Sequence, residues 1–277
     1  MKDQSADQAT AVSPDILGRI RFVLVETTHT GNLGATARAM KAMGLSRLEL
    51  VTPKRPPDAE ALARAAGADD LLERAPIHAS LVGALTGCRL VIGSSARLRS
   101  VEWPLLEPPD AARLLLDDAV HGEVALVLGR ERSGLSNEEL ARCQYLVHIP
   151  TSPDFSSLNV AAAAQVFAYE IRRAWREGAG EQLSDPPRDL ATAEALDGLH
   201  EHLARTLVDI GYAHPEQSTR LLMRLRRLVN RARPDWVEVN ILRGILSAAQ
   251  GRKTVRRFVQ ANQVGEERAD RQGDSHV

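Results

Sequence analysis

The chain is poor in the residues from which metal, redox and disulfide sites are built. It holds two cysteines, Cys88 and Cys143, far apart and without a Cys-x-x-Cys pair. That excludes a thiolate zinc finger or a dithiol redox motif, and reduced thiols are expected. No His-Glu-x-x-His is present, and His200 and His202, two residues apart, would not share a helix face. No metal is therefore expected. Gly-Lys-Ser/Thr is absent, and no Gly-x-Gly-x-x-Gly follows an apolar run, which argues against P-loop and Rossmann sites. No apolar stretch is long enough to span a bilayer. Met1 to Gly18 also lacks the apolar centre of a signal peptide. A cytoplasmic protein without a membrane partner is expected. A charge excess of one sign is missing too, since 35 Lys and Arg against 36 Asp and Glu leave a net −1. Any nucleic-acid contact must then come from local clusters rather than from a global field.

What is present is ordinary globular material. At 277 residues with 44% hydrophobic and 26% charged positions, the chain can bury a sizeable core as one large domain or two smaller ones. Apolar β-like runs stand at 20–26, 47–51, 89–93, 124–128 and 145–149, and their continuous apolar character suits strands covered on both faces. Helical patterns alternate with them at 32–43, 58–66, weakly at 80–85, and from Ser157 to about Trp175. This alternation predicts an α/β fold with a mainly parallel sheet. Gly178 to Pro187 reads as a linker, and three further helices follow it, the second over about 215–232 and the third after Pro234. Trp103, Trp175 and Trp236 are expected as packing residues.

Three segments at predicted strand ends carry the chemistry. In the first, Asn32-Leu33-Gly34-Ala35-Thr36-Ala37-Arg38, Arg38 lies one turn after a residue without a side chain. Its guanidinium is expected to extend back over Gly34 toward the loop at 27–32, where free helix N–H groups favour an anion. The alternative is a solvated arginine with Gly34 serving helix packing. His29 lies in the same loop, as a contact or as a plain loop histidine. The second segment is Gly129-Arg130-Glu131-Arg132-Ser133-Gly134-Leu135, whose glycines allow close backbone approach and whose Glu131 can accept hydrogen bonds. Ser136 is expected to cap the short helix after it. The third is Ile149-Pro150 closed by Ser156-Ser157-Leu158-Asn159, where Ser156 or Ser157 is the expected helix cap and Asn159 falls in the first turn.

Taken in this order, the segments resemble the three motifs of the SpoU-type SPOUT RNA methyltransferases. Glu26 to Asn32, Gly93-Ser94-Ser95-Ala96-Arg97, Asn230 to Pro234 and Asn240 to Leu246 are similar to a group within that family. Its members methylate the 2′-hydroxyl of the pyrimidine at anticodon-loop position 32 of tRNA. The resemblance covers roughly residues 19–250. It implies S-adenosylmethionine as cofactor, tRNA as partner, a C-terminal trefoil knot in the α/β domain and a homodimer with the site at its interface. It carries the cofactor site onto Ser94, Ser95, Ala96, Gly129, Ile149, Ser156, Ser157 and Leu158. Arg38 matches the family's catalytic arginine, supported by Asn32, Glu131, Ser157 and Asn159. Because arginine stays protonated, its expected role is to anchor a phosphate and stabilise developing alkoxide charge, not to act as base.

The expected organisation is a methyltransferase domain at 19–177, a linker at 178–189 and a helical tRNA-contacting extension at 190–250. Disordered tails are expected at 1–18 and 251–277. In the extension, Arg220, Arg224, Arg226, Arg227, Arg231 and Arg233 have few neighbouring acids. Of these, Arg224, Arg227, Arg231 and Arg233 are the expected RNA contacts. Two other readings stay open: an enzyme acting on another tRNA or ribosomal RNA position, and a non-catalytic RNA-binding protein of the same fold.

Overall fold

The computed structural model describes residues 15–96, 103–178, 189–214 and 218–251. Arg97, most of the expected linker and nearly all of both expected tails lie outside the described residues. These divide into two units, one reaching residue 178 with 192–194 added, the other comprising 189–191 and 195–251.

The first unit is built on a seven-stranded, all-parallel sheet in the order β3-β2-β1-β6-β4-β7-β5. Its strands are β1 (Ile20–Val25), β2 (Arg47–Val51), β3 (Ile77–His78), β4 (Leu90–Ser94), β5 (Leu105–Leu106), β6 (Val124–Leu128) and β7 (Tyr145–Val147). Between them run α1 (Thr30–Ala42), α2 (Ala59–Ala65), α3 (Asp69–Arg74), α4 (Leu81–Ala84), α5 (Pro108–Ala119) and α6 (Asn137–Leu140), and α7 (Val160–Arg176) follows β7.

Alternate strand residues feed two cores, which explains why the strands read as unbroken apolar runs. Phe22, Leu24, Ile92, Leu126 and Leu128 share one buried cluster with α1, α5 and α7. Val23, Val25, Val91, Ala125 and Val127 share the other with Leu81, Ala84 and Leu140. Cys88 and Cys143 are free and buried in this second cluster. Burial pushes their thiols up to about 11 and about 12, which leaves both protonated and unreactive at neutral pH.

Several boundaries differ from the sequence reading. Ile16 and Leu17 are buried, so the ordered core reaches back into the segment expected as a tail. Helix α5 lies outside the predicted helical patterns; Pro108 begins it, where its missing N–H costs nothing. Helix α7 starts at Val160 with Asn159 as N-cap, not Ser156 or Ser157. The Asn159 side chain accepts from the Ala161 N–H at 2.9 Å and, more weakly, from that of Ala162. Ser136 does cap α6, in a reciprocal box with Glu139.

The second unit contains α8 (Ala193–Asp209, less its first two residues), α9 (Thr219–Ala232) and α10 (Trp236–Ala249). Its core is small: Ala191, Ala195, Leu196, Leu199 and Val239. Asp235 caps α10, which places Pro234 before the cap rather than in the first turn. His200 and His202 bond Asn230 and Gln250, each at 3.0 Å, and so serve interhelical contacts. Among the described residues no helix is long and apolar enough to cross a membrane.

Candidate active site at the carboxyl ends of the central strands

In a parallel sheet the loops after the carboxyl ends of the strands converge, and ligands of open α/β folds bind there. Here the loops after β1, β4, β6 and β7 meet. The one after β1 begins with Glu26 in the left-handed region, φ 46°, which turns the chain sharply out of the sheet toward α1. The loop after β6 is tight, with the Gly134 N–H donating to the Arg130 carbonyl at 2.9 Å and Gly134 itself at φ 66°.

Arg130 holds these two loops together. Its guanidinium pairs with both carboxylate oxygens of Glu139, at 2.9 and 3.0 Å, donates to the Gly134 carbonyl and pairs with Glu26. Glu26 also pairs with Lys54. Hydrogen bonds from Arg130, then Lys54, hold the Glu26 carboxyl down to about 2. For Glu139, burial works against the charge, but Arg130 and the Ser136 N–H outweigh it and lower the pKa. Sequence reading missed this clamp. Glu26 and Arg130 lie 104 residues apart, and no local spacing reports such a pair.

Glu131 sits next to the clamp and joins the motifs. Its carboxylate accepts from the backbone N–H of Thr28 at 3.1 Å, of His29 at 3.2 Å, and from Asn32 Nδ2 at 3.0 Å. Asn32 Oδ1 in turn accepts from Asn159 Nδ2 at 2.9 Å. The amide orientations follow from the chain of bonds. Asn159 Oδ1 is taken by helix N–H groups, so its Nδ2 must donate, and Asn32 must turn its own Nδ2 to Glu131. Asn32, Glu131 and Asn159, expected as supporting polar residues, are thus brought together, with their hydrogen-bonding groups spent mainly on one another and on backbone.

Burial again opposes the charge of Glu131, yet hydrogen bonds from its own N–H, Asn32, His29 and Thr28 keep its pKa below the ordinary carboxylate range. Carboxyls depressed in the folded state contribute stability that is present above their unfolded pKa, near 4.3, and lost as pH falls through the folded value. For Glu26 the loss is expected to run from about pH 4.3 down to about pH 2, and Glu131 and Glu139, lowered in the same direction, add to it as pH falls below the ordinary carboxylate range. Acid unfolding followed by near-UV circular dichroism should show Glu131→Gln losing part of this pH dependence; an unchanged acid limb would remove Glu131 from it.

Beside this network lies a cavity of about 330 Å³. It is lined by the loops at Ser94–Ala96, Gly129–Leu135 and Ile149–Leu158, and by Leu128, Phe167 and other apolar groups. All eight positions expected for the cofactor, Ser94, Ser95, Ala96, Gly129, Ile149, Ser156, Ser157 and Leu158, border it. Ser95 is fixed by its N–H to the Val147 carbonyl at 3.0 Å and by His148 Nδ1 against its own carbonyl at 3.0 Å. Gly129 is buried with no room for a side chain, since a Cβ would lie 2.3 Å from the Gly134 carbonyl carbon.

Arg38 does not behave as expected. The space over Gly34 is filled by α2, and a Cβ on Gly34 would lie 1.9 Å from the Ala61 carbonyl oxygen. Gly34 therefore serves helix packing, the alternative reading of that residue. Arg38 is exposed and does not line the cavity, and among the described residues it has no hydrogen-bond or ion-pair partner. The His29 side chain is exposed and does not cap α1. Trp103 packs on the second cluster, the Arg172 guanidinium lies 4.5 Å over the Trp175 ring, and Trp236 stays 46% exposed.

In the second unit, Arg220, Arg224, Arg227 and Arg231 recur at intervals of three and four on α9 and so form one stripe. Arg226 departs from the group, because it pairs with Asp197 on α8. Arg233 is the C-cap of α9, at φ 48°.

Residues 19–169 match the SpoU rRNA methylase family, and residues 194–262 match the C-terminal domain of the tRNA methyltransferase TrmJ. The chain is 50% identical over 244 residues to the tRNA (cytidine/uridine/adenosine-2′-O-)-methyltransferase TrmJ of Pseudomonas aeruginosa, covering 85% of this chain and 95% of that one. It is 49% identical over 238 residues to the tRNA (cytidine/uridine-2′-O-)-methyltransferase TrmJ of Pectobacterium atrosepticum, covering 85% and 98%. The crystal structure of TrmJ from Z. mobilis aligns with a TM-score of 0.71 at 31% identity, covering 82% of this chain and 97% of that one. With its three motifs bonded together beside one cavity and its relatives matched along nearly their whole length, the chain belongs to the SpoU methylase family, in the TrmJ branch.

Proposed function

We propose that this protein is an S-adenosylmethionine-dependent tRNA methyltransferase acting on the ribose 2′-hydroxyl at anticodon-loop position 32, working as a homodimer in the cytoplasm. The observation that carries the reading is the bonded chain Glu131–Asn32–Asn159, which ties the three motifs together beside a cavity at the strand ends.

The cavity suits the cofactor. Its volume falls in the range of small-molecule sites, and Leu128, Leu135, Ile149 and Leu158 offer apolar walls for a flat heterocycle. The loops at Ser94–Ala96, Gly129–Leu135 and Ser156–Leu158 would hold the group through main-chain and hydroxyl contacts. When bound, S-adenosylmethionine supplies an electrophilic methyl on a sulfonium. The chain's own residues then have to orient a weakly nucleophilic hydroxyl in line with it. Asn32, Glu131 and Asn159 act as positioning residues, because their hydrogen bonds are spent on holding the loops. Arg38 is the group free to meet the substrate phosphate and to stabilise alkoxide charge. Since it does not line the cavity of its own chain, we assign it to the site completed by a second copy. The knot expected from the family resemblance belongs to this proposal, as does tRNA backbone contact by Arg224, Arg227, Arg231 and Arg233.

Mapping of 2′-O-methyl groups in tRNA from a strain lacking the gene tests the reading. The position-32 methyl is expected to disappear and to return with a plasmid copy. Its persistence in the absence of a redundant enzyme would overturn the substrate assignment. Loss of a different tRNA or ribosomal RNA methyl instead would favour the enzyme of altered target.

A further inference from the structure

Two arginines lie on the cavity-lining loop after β6, and they differ in what they do. Arg130 is committed to Glu26, Glu139 and the Gly134 carbonyl. Arg132 also lines the cavity but is exposed, and among the described residues it has no hydrogen-bond or ion-pair partner. Glu131 offers it no neutralising partner, as that carboxylate is occupied by Thr28, His29 and Asn32. Arg132 thus borders the cavity with no partner for its charge among the described residues.

The loop after β7 presents a second unspent group. Phe155 is 77% exposed, more than any other large hydrophobic residue described. Its backbone is ordered by its own N–H to the Ser152 carbonyl at 3.0 Å and by Thr151 Oγ1 to the Ser156 carbonyl at 3.1 Å. Thr151 and Ser156, on either side of the turn, both line the cavity. Its neighbours along the chain, Ser152, Pro153, Asp154 and Ser156, are all exposed. On this loop the other exposed large hydrophobic residue is Leu158, at 39%, so Phe155 is the one exposed aromatic ring among mainly polar neighbours along the chain. A planar ring and a guanidinium without a partner among the described residues, carried on two loops that both line the cavity, are complementary to a nucleotide, whose base stacks and whose phosphate pairs.

We propose that Phe155 and Arg132 form a substrate subsite on the lip of the cavity, Phe155 stacking on an unstacked base of the anticodon loop and Arg132 binding a flanking phosphodiester. The proposal rests on the reading of the chain as an RNA methyltransferase. Stacking engages the face of a base and leaves its hydrogen-bonding edge unread, so the subsite contributes affinity and orientation without selecting among bases.

The test uses the full-length protein with an anticodon stem–loop RNA and with tRNA. Phe155→Ala is expected to lower kcat/KM for tRNA by about 10–100-fold, mostly through KM, while S-adenosylmethionine affinity by calorimetry stays unchanged. Phe155→Leu should lose as much, because it keeps apolar bulk without a π-face. Phe155→Trp should restore binding and show fluorescence quenching by the stem–loop beyond that of the wild type. Arg132→Gln should weaken RNA binding and reduce the slope of log affinity against log salt by about one. The proposal is overturned if Phe155→Leu restores full affinity, if Phe155→Ala changes only the oligomeric state in gel filtration, or if neither residue affects RNA binding. Loss of S-adenosylmethionine affinity in Arg132→Gln would assign that arginine to the cofactor carboxylate and equally overturn it. Methyl transfer by the wild-type protein reports separately on the parent reading, since the fluorescence and salt measurements do not depend on turnover.

Discussion

Arg38→Ala is expected to reduce methyl transfer by about 10²–10³-fold while S-adenosylmethionine affinity stays within a few-fold. The magnitude is that of removing one charge-stabilising donor from a transition state. The selectivity follows from the structure, where Arg38 does not line the cavity and, among the described residues, has no partner to lose. Its removal therefore leaves no buried group unsatisfied, and the melting temperature should not move. Arg38→Lys should recover only a small part of the rate. An ammonium keeps the charge but lacks the planar fork that engages phosphate oxygens in pairs. Single-turnover methyl transfer, read beside calorimetric cofactor binding, separates the two effects. Normal single-turnover rates in Arg38→Ala would sink the role assigned to this residue, and a matching loss of cofactor affinity would place it in the pocket instead.

Gly129→Ala is expected to have the opposite signature, with loss of both stability and cofactor binding. A Cβ at position 129 would lie 2.3 Å from the Gly134 carbonyl carbon and 2.4 Å from the Leu135 nitrogen. Both are backbone atoms, so no rotamer change relieves the contact. The loop must open, and with it the Gly134 N–H to Arg130 carbonyl bond that closes the turn. Overpacking of this kind costs about 3 kcal/mol at the upper end of the usual range. For a domain of this size that corresponds to a fall in melting temperature of about 6–12 °C. Because the same loop lines the cavity and carries Glu131, S-adenosylmethionine affinity should fall at least about tenfold along with it. Differential scanning fluorimetry with and without cofactor would show a lowered melting point and a diminished cofactor-induced shift. A wild-type shift in the variant would mean that the loop does not shape the pocket.

The contrast between these two substitutions shows which parts of the site were legible in the sequence. Gly129 and Arg38 were both readable as special positions, one from its place after an apolar run and the other from its spacing to Gly34. Of the two readings open for Gly34, the structure supports helix packing. Removal of a side chain from a helix creates space that another element can occupy as readily as an arginine can, and here the Ala61 carbonyl occupies it. Helix α7 gives a similar lesson. Ser156, Ser157 and Asn159 are all competent caps, and propensity alone does not choose among them. Asn159 takes the position because its amide also reaches Asn32, 127 residues earlier.

By itself the sequence determined the class of the fold, since continuous apolar strands alternating with helices admit little except a parallel sheet covered on both faces. It also determined which segments matter, because a strand-end loop with glycines or a capping residue announces itself locally. Only the tertiary structure decided how those segments are held. Arg130 reaches Glu26 across 104 residues, and Glu131 takes N–H groups from Thr28 and His29 across comparable distances. Such bonds exist only because β1 and β6 lie side by side in the sheet. Periodicity reports the face a residue turns to its own element, and the neighbour on the next strand is set by topology, which no local pattern encodes.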